Sequence, residues 1–320
     1  MNVYRSLEEL PQTIKNPVIT FGSFDGVHLG HSYVFNRMKA IANEVEGETI
    51  VTTFHPHPRK VIYPSDKSLS LITTIEEKIN LFEKNNIDHL VIMPFSVEFS
   101  QITPQEYIET FIIKSFRPHT IVIGYDHRFG LNRKGDINTL RWYEKNNQFK
   151  VVEIPQKRVE TMKISSTVIR KSIQNGDVVK ANTLLGHNFK LSGTVIHGEK
   201  LGEKIGYKTA NISPVSKEKL IPGEGIYAVF VNYDEYQYKG MLYIGTKPTI
   251  RSNGQKSIEV HIFDFNEIVY GKEIEVEFIE FIRKDATFGS LEELREKINS
   301  DREQSLKILN GIRRNYKIEI

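Results

Sequence analysis

Two histidines beside a glycine-containing turn are the residues whose types and spacing most clearly suggest chemistry. His28 and His31 lie three positions apart, directly after an apolar run and a turn. If a helix begins beside them, both rings lie on one side of its first turn, where free N–H groups and the helix dipole favour bound phosphate. Gly22, Gly26 and Gly30 allow the backbone to turn sharply and to approach a ligand closely. The segment predicts a nucleoside-triphosphate site; the plain alternative is a strand-to-helix connection with incidental histidines.

Three further segments of the first half carry polar side chains after strand-like runs or at a helix start. The loop His55–Arg59 is stiffened by two prolines and presents two imidazoles and a guanidinium. Ligand contacts are favoured over a metal site there, because no third metal ligand is evident. The loop Ile123–Gly130 follows another strand-like run. The segment Lys163–Arg170 places three hydroxyls at a predicted helix start with an arginine one turn later, a pattern that fits either phosphate binding or a plain N-cap.

These segments, in this order, resemble the adenylyltransferase domain of the bacterial bifunctional riboflavin kinase/FAD synthetase family. The family's GxFDGxHxGH, Phe-x-Pro-His-Pro, Gly-x-Asp-Phe-x-Phe-Gly and Ser-Ser-Thr-x-x-Arg motifs are matched, except that His127 stands where a phenylalanine is usual. The resemblance implies catalytic roles for His28 and His31. It implies flavin contacts by His57, Asp126 and Phe129. It also implies ATP or phosphate contacts by Gly22, Phe24, Asp25, Gly26, Gly30, Ser165, Ser166, Thr167 and Arg170.

The paired histidines and the late hydroxyl and arginine motif are less specific than the other two segments. They are also found in the wider nucleotidyltransferase superfamily, which includes cytidylyltransferases and class I tRNA synthetases. The loop Phe54–Pro58 and the segment around Asp126 favour the flavin branch. The resemblance therefore implies adenylylation of FMN to FAD with release of pyrophosphate.

The second half contains a glycine-rich segment and a polar strand. Gly198, Gly202 and Gly206 predict a mobile loop whose amides cover phosphates, and a glycine-rich hairpin is the plain alternative. In the strand-like run Ser257–Phe265, four side chains share one face, and the plain alternative for that face is simple solvation. These four are Glu259, His261, Phe263 and Phe265.

Both segments resemble the riboflavin kinase domain of the same family. Lys208–Asn211 corresponds to a Pro-Thr-Ala-Asn motif and Glu259–His261 to a Glu-x-His strand; Gly245–Thr249 and Tyr270–Gly271 also fit. The resemblance implies that Thr209 and Asn211 hold Mg²⁺ with ATP. It further implies that Glu259 takes the proton from the ribityl hydroxyl and that His261 contacts the flavin. The departures are Lys208 for proline and Glu203 for the usual arginine.

The elements that must position these residues change character near residue 185. Before it, strand-like runs alternate with helical ones, which predicts a doubly wound parallel α/β domain over residues 1–185. The resemblance implies that this domain is of the Rossmann-like nucleotidyltransferase class. Helix starts are marked by capping boxes at Thr74 and Thr103. After residue 185 the strands predict an antiparallel barrel or sandwich, and the resemblance implies a β-barrel with a C-terminal helix over 186–320. Alternation in the last strand slips near Phe278, which predicts a bulge.

The predicted strand-like runs are, in the first half, Val18 to Phe21, Thr49 to Phe54, His89 to Met93, Thr120 to Gly124 and Lys150 to Ile154. In the second half they are Phe189 to Ile196, Gly225 to Tyr233, Tyr238 to Gly245, Ser257 to Phe265 and Ile274 to Ile282. The turn Asn253-Gly254 separates two of these. A capping box at Ser290 predicts a final helix that buries Leu294, Ile298, Leu306 and Leu309.

Composition limits the class of protein. The chain has 320 residues, no cysteine and a formal net charge of +3, so disulfides, thiolate zinc sites and cysteine nucleophiles are excluded. No basic stripe of the kind that nucleic acid requires is present. The first residues lack the apolar segment of a secretion signal, and no apolar run approaches the ~18 residues that span a bilayer. We expect a cytoplasmic protein without nucleic-acid or membrane partners, and we leave self-association open.

The resemblance implies a multifunctional transferase of flavin cofactor biosynthesis. It would phosphorylate riboflavin to FMN and adenylylate FMN to FAD, with ATP and Mg²⁺, the flavins being substrates and products. Two alternatives stay open at this point. One is an enzyme with a single activity, most plausibly the adenylyltransferase. The other is a flavin-sensing binding protein in which Glu203 and Lys208 mark a decayed kinase site.

Overall fold

The structure, a computed structural model, describes residues 1–66, 68–147, 149–155, 158–159, 162–198, 206–246 and 256–312. Contacts divide the chain into two compact units, Met1–Ser166 and Thr167–Ile320. A parallel sheet with helices is followed by an antiparallel barrel with a C-terminal helix, so the predicted fold class is confirmed. The predicted boundary between the two functional domains, at residues 185 and 186, is not the boundary between these units, and it remains a prediction. Within the described residues, no helix combines the length and apolar character needed to cross a membrane.

The first unit is built on a six-stranded parallel sheet with the order β1-β4-β3-β2-β5-β6. Its strands are β1 (Asn2–Tyr4), β2 (Val18–Phe21), β3 (Thr49–His55), β4 (His89–Pro94), β5 (Thr120–Gly124) and β6 (Lys150–Ile154). Its helices are α1 (Leu29–Glu44), α2 (Pro58–Ile62), α3 (Ile75–Lys84), α4 (Val97–Ser100), α5 (Pro104–Glu106, continued by the wider helix Tyr107–Lys114) and α6 (Ile137–Asn147). A small two-stranded sheet pairs β7 (Arg158–Val159) with β8 (Met162–Lys163).

Both faces of this sheet are covered by apolar helix faces, as a parallel sheet requires. Phe35 of α1 and Phe82 of α3 pack in the core on one face. Phe111, in the helix that continues α5, and Leu140 of α6 pack in the core on the other. The capping boxes predicted at Thr74 and Thr103 are both present. Strand β1 was not predicted, because it is only three residues long and mostly exposed.

The strand order reverses between β2 and β5, which pair with each other at the centre of the sheet. From β2 the chain moves outward through β3 and β4, and from β5 it moves the other way to β6. In such sheets a crevice opens beyond the carboxyl ends of the strands at this reversal, and ligands bind there. Gly22 follows β2 and Asp126 follows β5, so both flank the crevice.

The second unit begins with α7 (Ser166–Gln174, of which Ser166 is the last residue of the first unit) and α8 (Val178–Leu185). Asn182 of α8 donates a hydrogen bond to the carbonyl of Phe278, and this bond ties α8 to the barrel. The closed barrel has the order β10-β13-β12-β11-β14-β9. Its strands are β9 (Phe189–Ile196), β10 (Ala210–Pro214), β11 (Gly225–Tyr233), β12 (Tyr236–Thr246), β13 (Lys256–Ile262) and β14 (Glu273–Arg283).

The barrel agrees with the predicted strands except that β10 was not predicted and that β13 ends earlier than predicted. Strand β10 was not predicted, because only Ile212 within it is buried and no alternation is visible. The predicted bulge is confirmed: Val229 pairs with Phe278 while Ala228 pairs with Glu280, which leaves Ile279 as the extra residue. The predicted turn at residues 253 and 254 lies outside the described residues.

The prediction that Phe265 shares a face with Glu259 is wrong. Strand β13 ends at Ile262, and Asp264 has a left-handed backbone with φ of 55°. The Phe265 ring therefore leaves the strand face and packs 4.9 Å from the ring of Tyr238. An apolar residue following a strand looks like part of its alternation, so sequence periodicity could not locate this turn.

The C-terminal helix α9 (Leu291–Gly311) packs on the outside of the barrel. Its predicted N-cap at Ser290 is confirmed, with Glu293 reaching back to the amide of Gly289 instead of that of Ser290. Of the four residues predicted to be buried only Leu309 is, and the other three are half-buried. Asp301 is instead 1% exposed and receives hydrogen bonds from Arg283 of β14 at 2.7 and 3.0 Å.

We expect Asp301→Ala to destabilise the second unit by about 3–5 kcal/mol, because it leaves the Arg283 guanidinium without its buried partner. Arg302→Ala is the matched control on the same helix. It removes an ion pair with Asp264 that is largely exposed, and such pairs contribute about 0–1 kcal/mol. Denaturant unfolding followed by circular dichroism measures both. Equal losses of stability in the two variants would contradict the account of the Asp301 pair.

Candidate active sites

His28 and His31 cap the first turn of α1 for each other. The amide of His31 donates to Nδ1 of His28, and the amide of His28 donates to Nδ1 of His31, both at 3.3 Å. The two rings stack with their centroids 3.5 Å apart. Because Nδ1 of each ring accepts a backbone proton, each neutral ring carries its own proton on Nε2. A Cβ on Gly30 would lie 3.1 Å from the His28 ring, so glycine there leaves the ring its place.

Burial is the main cause that lowers the pKa of His31 well below its ordinary value, and the charges of His28 and Lys78 lower it further. His31 is therefore neutral at neutral pH. The Phe24 ring lies edge-on to His31 with centroids 5.0 Å apart, which fixes the orientation of the imidazole. The arrangement presents Nε2–H donors at a helix N-terminus, where developing negative charge is stabilised.

Hydrogen bonds to other segments fix the turn before α1. The Asp25 carboxylate, 2% exposed, accepts hydrogen bonds from the amides of Ile72 and Thr73 at 2.9 and 3.1 Å. The Gly26 amide donates to the hydroxyl of Thr73 at 3.0 Å. Ser166 at the start of α7 donates to the carbonyl of Asp25 at 2.8 Å. Asp25 thus shapes the turn through backbone contacts.

A cavity of about 740 Å³ opens beside this turn. Three of the residues predicted to contact flavin line it, namely His57, Asp126 and Phe129, together with Gly22, Phe24 and His31. Aromatic side chains form much of its remaining wall: Phe54, Phe95, Phe99 and Tyr107. Phe54 opens the Phe-x-Pro-His-Pro motif seen in the sequence. Sequence reasoning missed Phe95, Phe99 and Tyr107, because they come from separate elements and carry no common motif. The cavity has the size and the apolar walls that suit a planar aromatic ligand.

Two histidines of this cavity are held in defined ways. His57 caps α2, its Nδ1 accepting the amide of Arg59 at 3.2 Å. His127 lies with its ring 6.0 Å from that of Phe129. Burial lowers the pKa of His127 to about 4, with the Asp126 charge opposing this shift and Arg133 adding to it. His127 is thus a neutral ring at neutral pH, which is closer to the phenylalanine it replaces than a charged histidine would be.

In the barrel unit, Glu259 lies among oxygen-bearing side chains. Asn211 of β10 pairs with Glu259 of β13 across the antiparallel ladder. The Thr209 hydroxyl donates to one carboxylate oxygen of Glu259 at 3.4 Å, and Ser257 donates to the other at 2.9 Å. Gly198 lies directly against the Asn211 amide, where a Cβ would collide with it. The barrel strands therefore bring together the predicted residues Thr209, Asn211, Glu259 and Gly198.

His261 stands on the same face as Glu259 and is fixed by the backbone. Its Nδ1 donates to the carbonyl of Lys208 at 2.7 Å. Burial lowers the pKa of His261, partly opposed by the contact with the Lys208 carbonyl. Gly206, before this segment, has φ of 88°, which favours glycine. Gly202 and Glu203 lie outside the described residues.

Two cavities meet at Thr209. The larger, of about 490 Å³, is lined by Glu259, His261, Tyr207 and Tyr243 and by apolar residues of α9. The smaller, of about 280 Å³, is lined by Lys208, Thr209 and the segment Phe265–Tyr270. Thr209 therefore has one cavity on each side. Sequence reasoning missed Tyr243, whose hydroxyl donates to Asp285 at 2.7 Å, because the alternation of β12 gives no sign of a ligand.

Comparisons with known proteins match the whole of this arrangement. The FAD synthetase family matches residues 10–168 and the riboflavin kinase family matches residues 185–309. A bifunctional riboflavin kinase/FMN adenylyltransferase of Bacillus subtilis (strain 168) is 36% identical, covering 93% of this chain and 94% of that protein. The protein of the same name from Escherichia coli (strain K12) is 32% identical over 94% and 96%. The chain belongs to the bifunctional riboflavin kinase/FMN adenylyltransferase family.

One solved structure carries a different name. A protein from Streptococcus pneumoniae named a macrolide-efflux protein is 30% identical and superposes with a TM-score of 0.86, covering 95% of this chain and 97% of that one. Its fold supports the architecture described above. The efflux activity in its name has no counterpart in the two matching families or in the names of the bacterial relatives.

As a member of the riboflavin kinase/FMN adenylyltransferase family, this chain departs from the family motif at Lys208, and the structure shows why the barrel tolerates the change. The contact made by this residue to His261 uses its carbonyl oxygen, which proline also has. The side chain at position 208 is not needed for that contact. The single-activity and flavin-sensor alternatives are not favoured, because both family matches are present in one chain.

Proposed function

We propose that this chain phosphorylates riboflavin to FMN in its barrel unit and adenylylates FMN to FAD in its α/β unit. The observation that carries this proposal is that each unit holds its own cavity beside its own set of motif residues. We propose residues 1–185 for the second reaction and residues 186–320 for the first. Incubating the purified chain with riboflavin and Mg-ATP and separating the products by chromatography tests it. FMN followed by FAD is expected. Formation of neither product would refute the kinase activity, and FMN that accumulates without any FAD would refute the adenylyltransferase activity.

For the adenylyl transfer, we propose that a phosphate oxygen of FMN attacks the α-phosphorus of ATP while the bond to the β-phosphate breaks and pyrophosphate leaves. His28 and His31 would donate from Nε2 to the phosphate oxygens on which negative charge increases. The backbone of Gly22 to Gly26 would lie against the nucleotide, with Phe24 supporting His31 and Asp25 supporting the turn. The aromatic wall of the cavity would take the flavin ring beside His57, Asp126 and Phe129.

For the kinase reaction, we propose that Glu259 takes the proton of the ribityl hydroxyl as its oxygen attacks the γ-phosphorus of ATP and ADP leaves. The larger cavity would hold riboflavin beside Glu259 and His261, and the smaller one would hold the nucleotide. Thr209 lies between the two cavities, where the transferred group must pass. The amides of Gly198, Gly202 and Gly206 would contact phosphates.

The side chains beside Glu259 suit Mg²⁺ with ATP. The Thr209 hydroxyl, the Asn211 amide and the Glu259 carboxylate offer oxygen atoms, the ligands that this cation prefers. Thr209 and Asn211 would hold the ion, which neutralises phosphate charge when bound. No group of three or more His, Asp or Glu side chains placed to hold a metal occurs in the described parts of the chain. Such a site therefore relies on the nucleotide phosphates for further ligands.

We further propose that the hydroxyls of Ser165 and Thr167 and the backbone amide of Ser166, whose hydroxyl already donates to the Asp25 carbonyl, contact the triphosphate. Arg170, one turn into α7, would bind its oxygens in a bidentate manner. Arg170→Lys is expected to raise the Michaelis constant for ATP in FAD formation about tenfold or more, because losing a charged hydrogen bond costs about 1.5–3 kcal/mol. Lys171→Met, at the exposed neighbouring position, is the control. An unchanged Michaelis constant for ATP in Arg170→Lys would refute this role.

A further inference from the structure

Lys78 is a buried lysine next to the paired histidines. It lies on α3, is 3% exposed, and its Nζ donates to the carbonyl of Ser23 at 2.8 Å. Burial lowers the pKa of Lys78, and the negative charge of Asp25 opposes that shift. Burying an ammonium group costs several kcal/mol unless other groups compensate. The buried Lys78 ammonium group lies against the turn that precedes α1, where it contacts Ser23.

The contact with Ser23 holds a strained piece of backbone. Phe24 and Val27 both have left-handed backbone conformations, with φ of 44° and 41°, which non-glycine residues rarely adopt. Such conformations persist only when surrounding contacts fix them. The Ser23 carbonyl accepts two hydrogen bonds, from Lys78 and from the hydroxyl of Thr53 at 3.2 Å. Lys78 therefore anchors the turn at the residue next to Phe24.

The charge of Lys78 also acts on His31. The groups that act on the His31 ring electrostatically are His28, at the N-terminus of α1, and Lys78, on α3. Asp25, in the turn, acts on Lys78. A nearby cation disfavours protonation of the His31 ring. A protonated His31 could not accept the amide proton of His28 at Nδ1, and the reciprocal cap would be lost.

We propose that Lys78 is a positioning residue for adenylyl transfer, holding the Ser23 carbonyl and thereby the turn that sets Phe24 and the paired histidines. The proposal rests on the function proposed above for this cavity. Lys78 acts through the turn and through His31 and does not itself contact substrate.

Lys78→Met keeps most of the length of the side chain but removes its charge and its hydrogen-bond donor. Lys78→Arg keeps the charge and the donor. We expect Lys78→Met to slow FAD formation from FMN about 10²-fold, the cost typical of a small misplacement of reacting groups. Riboflavin phosphorylation by the same chain should keep its rate, which controls for folding of the second unit. Lys84→Met, exposed on the same helix, should leave both rates unchanged.

The pH profile separates positioning from mere packing. Without the Lys78 charge, His31 is protonated more readily, so the acid limb of FAD formation should move to higher pH from a starting point well below the ordinary histidine pKa. NMR titration of the His31 imidazole should show the same upward shift, and Lys78→Arg should restore both. Thr53→Val removes only the second bond to Ser23, so it should slow FAD formation without moving the acid limb.

A Lys78→Met chain that forms FAD at the wild-type rate would overturn this proposal alone. An acid limb and a His31 titration that stay in place would also overturn it, as would failure of Lys78→Arg to rescue them. A wild-type chain that makes no FAD from FMN would overturn the proposed function and this inference with it.

Discussion

Glu259→Gln is expected to slow the formation of FMN from riboflavin by about 10²–10⁴, the typical contribution of a general base, while FAD formation from supplied FMN continues unchanged. The ribityl hydroxyl is not ionised at neutral pH, so its attack on phosphorus needs a proton acceptor within reach. The amide has the shape of the carboxylate and retains an oxygen for one of the two hydroxyls that donate to it, those of Thr209 and Ser257, but it cannot take the proton.

Glu273→Gln is the matched control for this substitution, since Glu273 is exposed at the start of β14 and lines neither of the two barrel cavities. Both rates should stay at the wild-type level in that variant. A Glu259→Gln chain that phosphorylates riboflavin at the wild-type rate would show that Glu259 is not the base. A parallel loss of FAD formation from FMN would show that the two reactions are not separable in the way proposed.

His28→Ala and His31→Ala are each expected to slow FAD formation from FMN by about 10²–10³ or more, the loss typical when one donor to a developing oxyanion is removed. Riboflavin phosphorylation should be unaffected, because the kinase residues lie in the other compact unit. The rates of both reactions, measured on one preparation of each variant, give this comparison directly.

The helix cap complicates the reading of His28→Ala, since His28 is also the N-cap of α1. His28→Asn separates the two roles, because asparagine is among the best N-cap residues but lacks the imidazole Nε2 donor. We expect His28→Asn to keep the thermal stability of the wild type and still lose FAD formation. If FAD formation recovers in His28→Asn, the ring acts only through the helix start, and its proposed contact with phosphate is wrong.

Much of the first unit could be predicted because its signals are local. The run Val18–Phe21 is apolar apart from Thr20 and the turn after it contains two glycines, so the junction of β2 and α1 is visible in the sequence. The capping boxes at Thr74 and Thr103 mark helix starts by short-range hydrogen bonds. Such features depend on neighbouring residues alone, and the structure reproduces them.

The contacts that build the sites depend on residues far apart and left no local pattern. The reciprocal capping of His28 and His31 follows from ring orientation, which spacing alone does not fix. The burial of Lys78 beneath Ser23 joins residues 55 positions apart. Asp301 lies on a largely polar helix and looks exposed until Arg283 of β14 is seen to pair with it.

The most direct test of the account follows the phosphates of ATP into FAD. With riboflavin as substrate, FAD should carry label from both γ-labelled and α-labelled ATP, because its first phosphate comes from the kinase step and its second from adenylyl transfer. With FMN supplied instead, FAD should carry the α label only, and the pyrophosphate released should carry the γ label. FAD from riboflavin that lacks the γ label, or no FAD at all, would contradict the claim that this one chain performs both reactions.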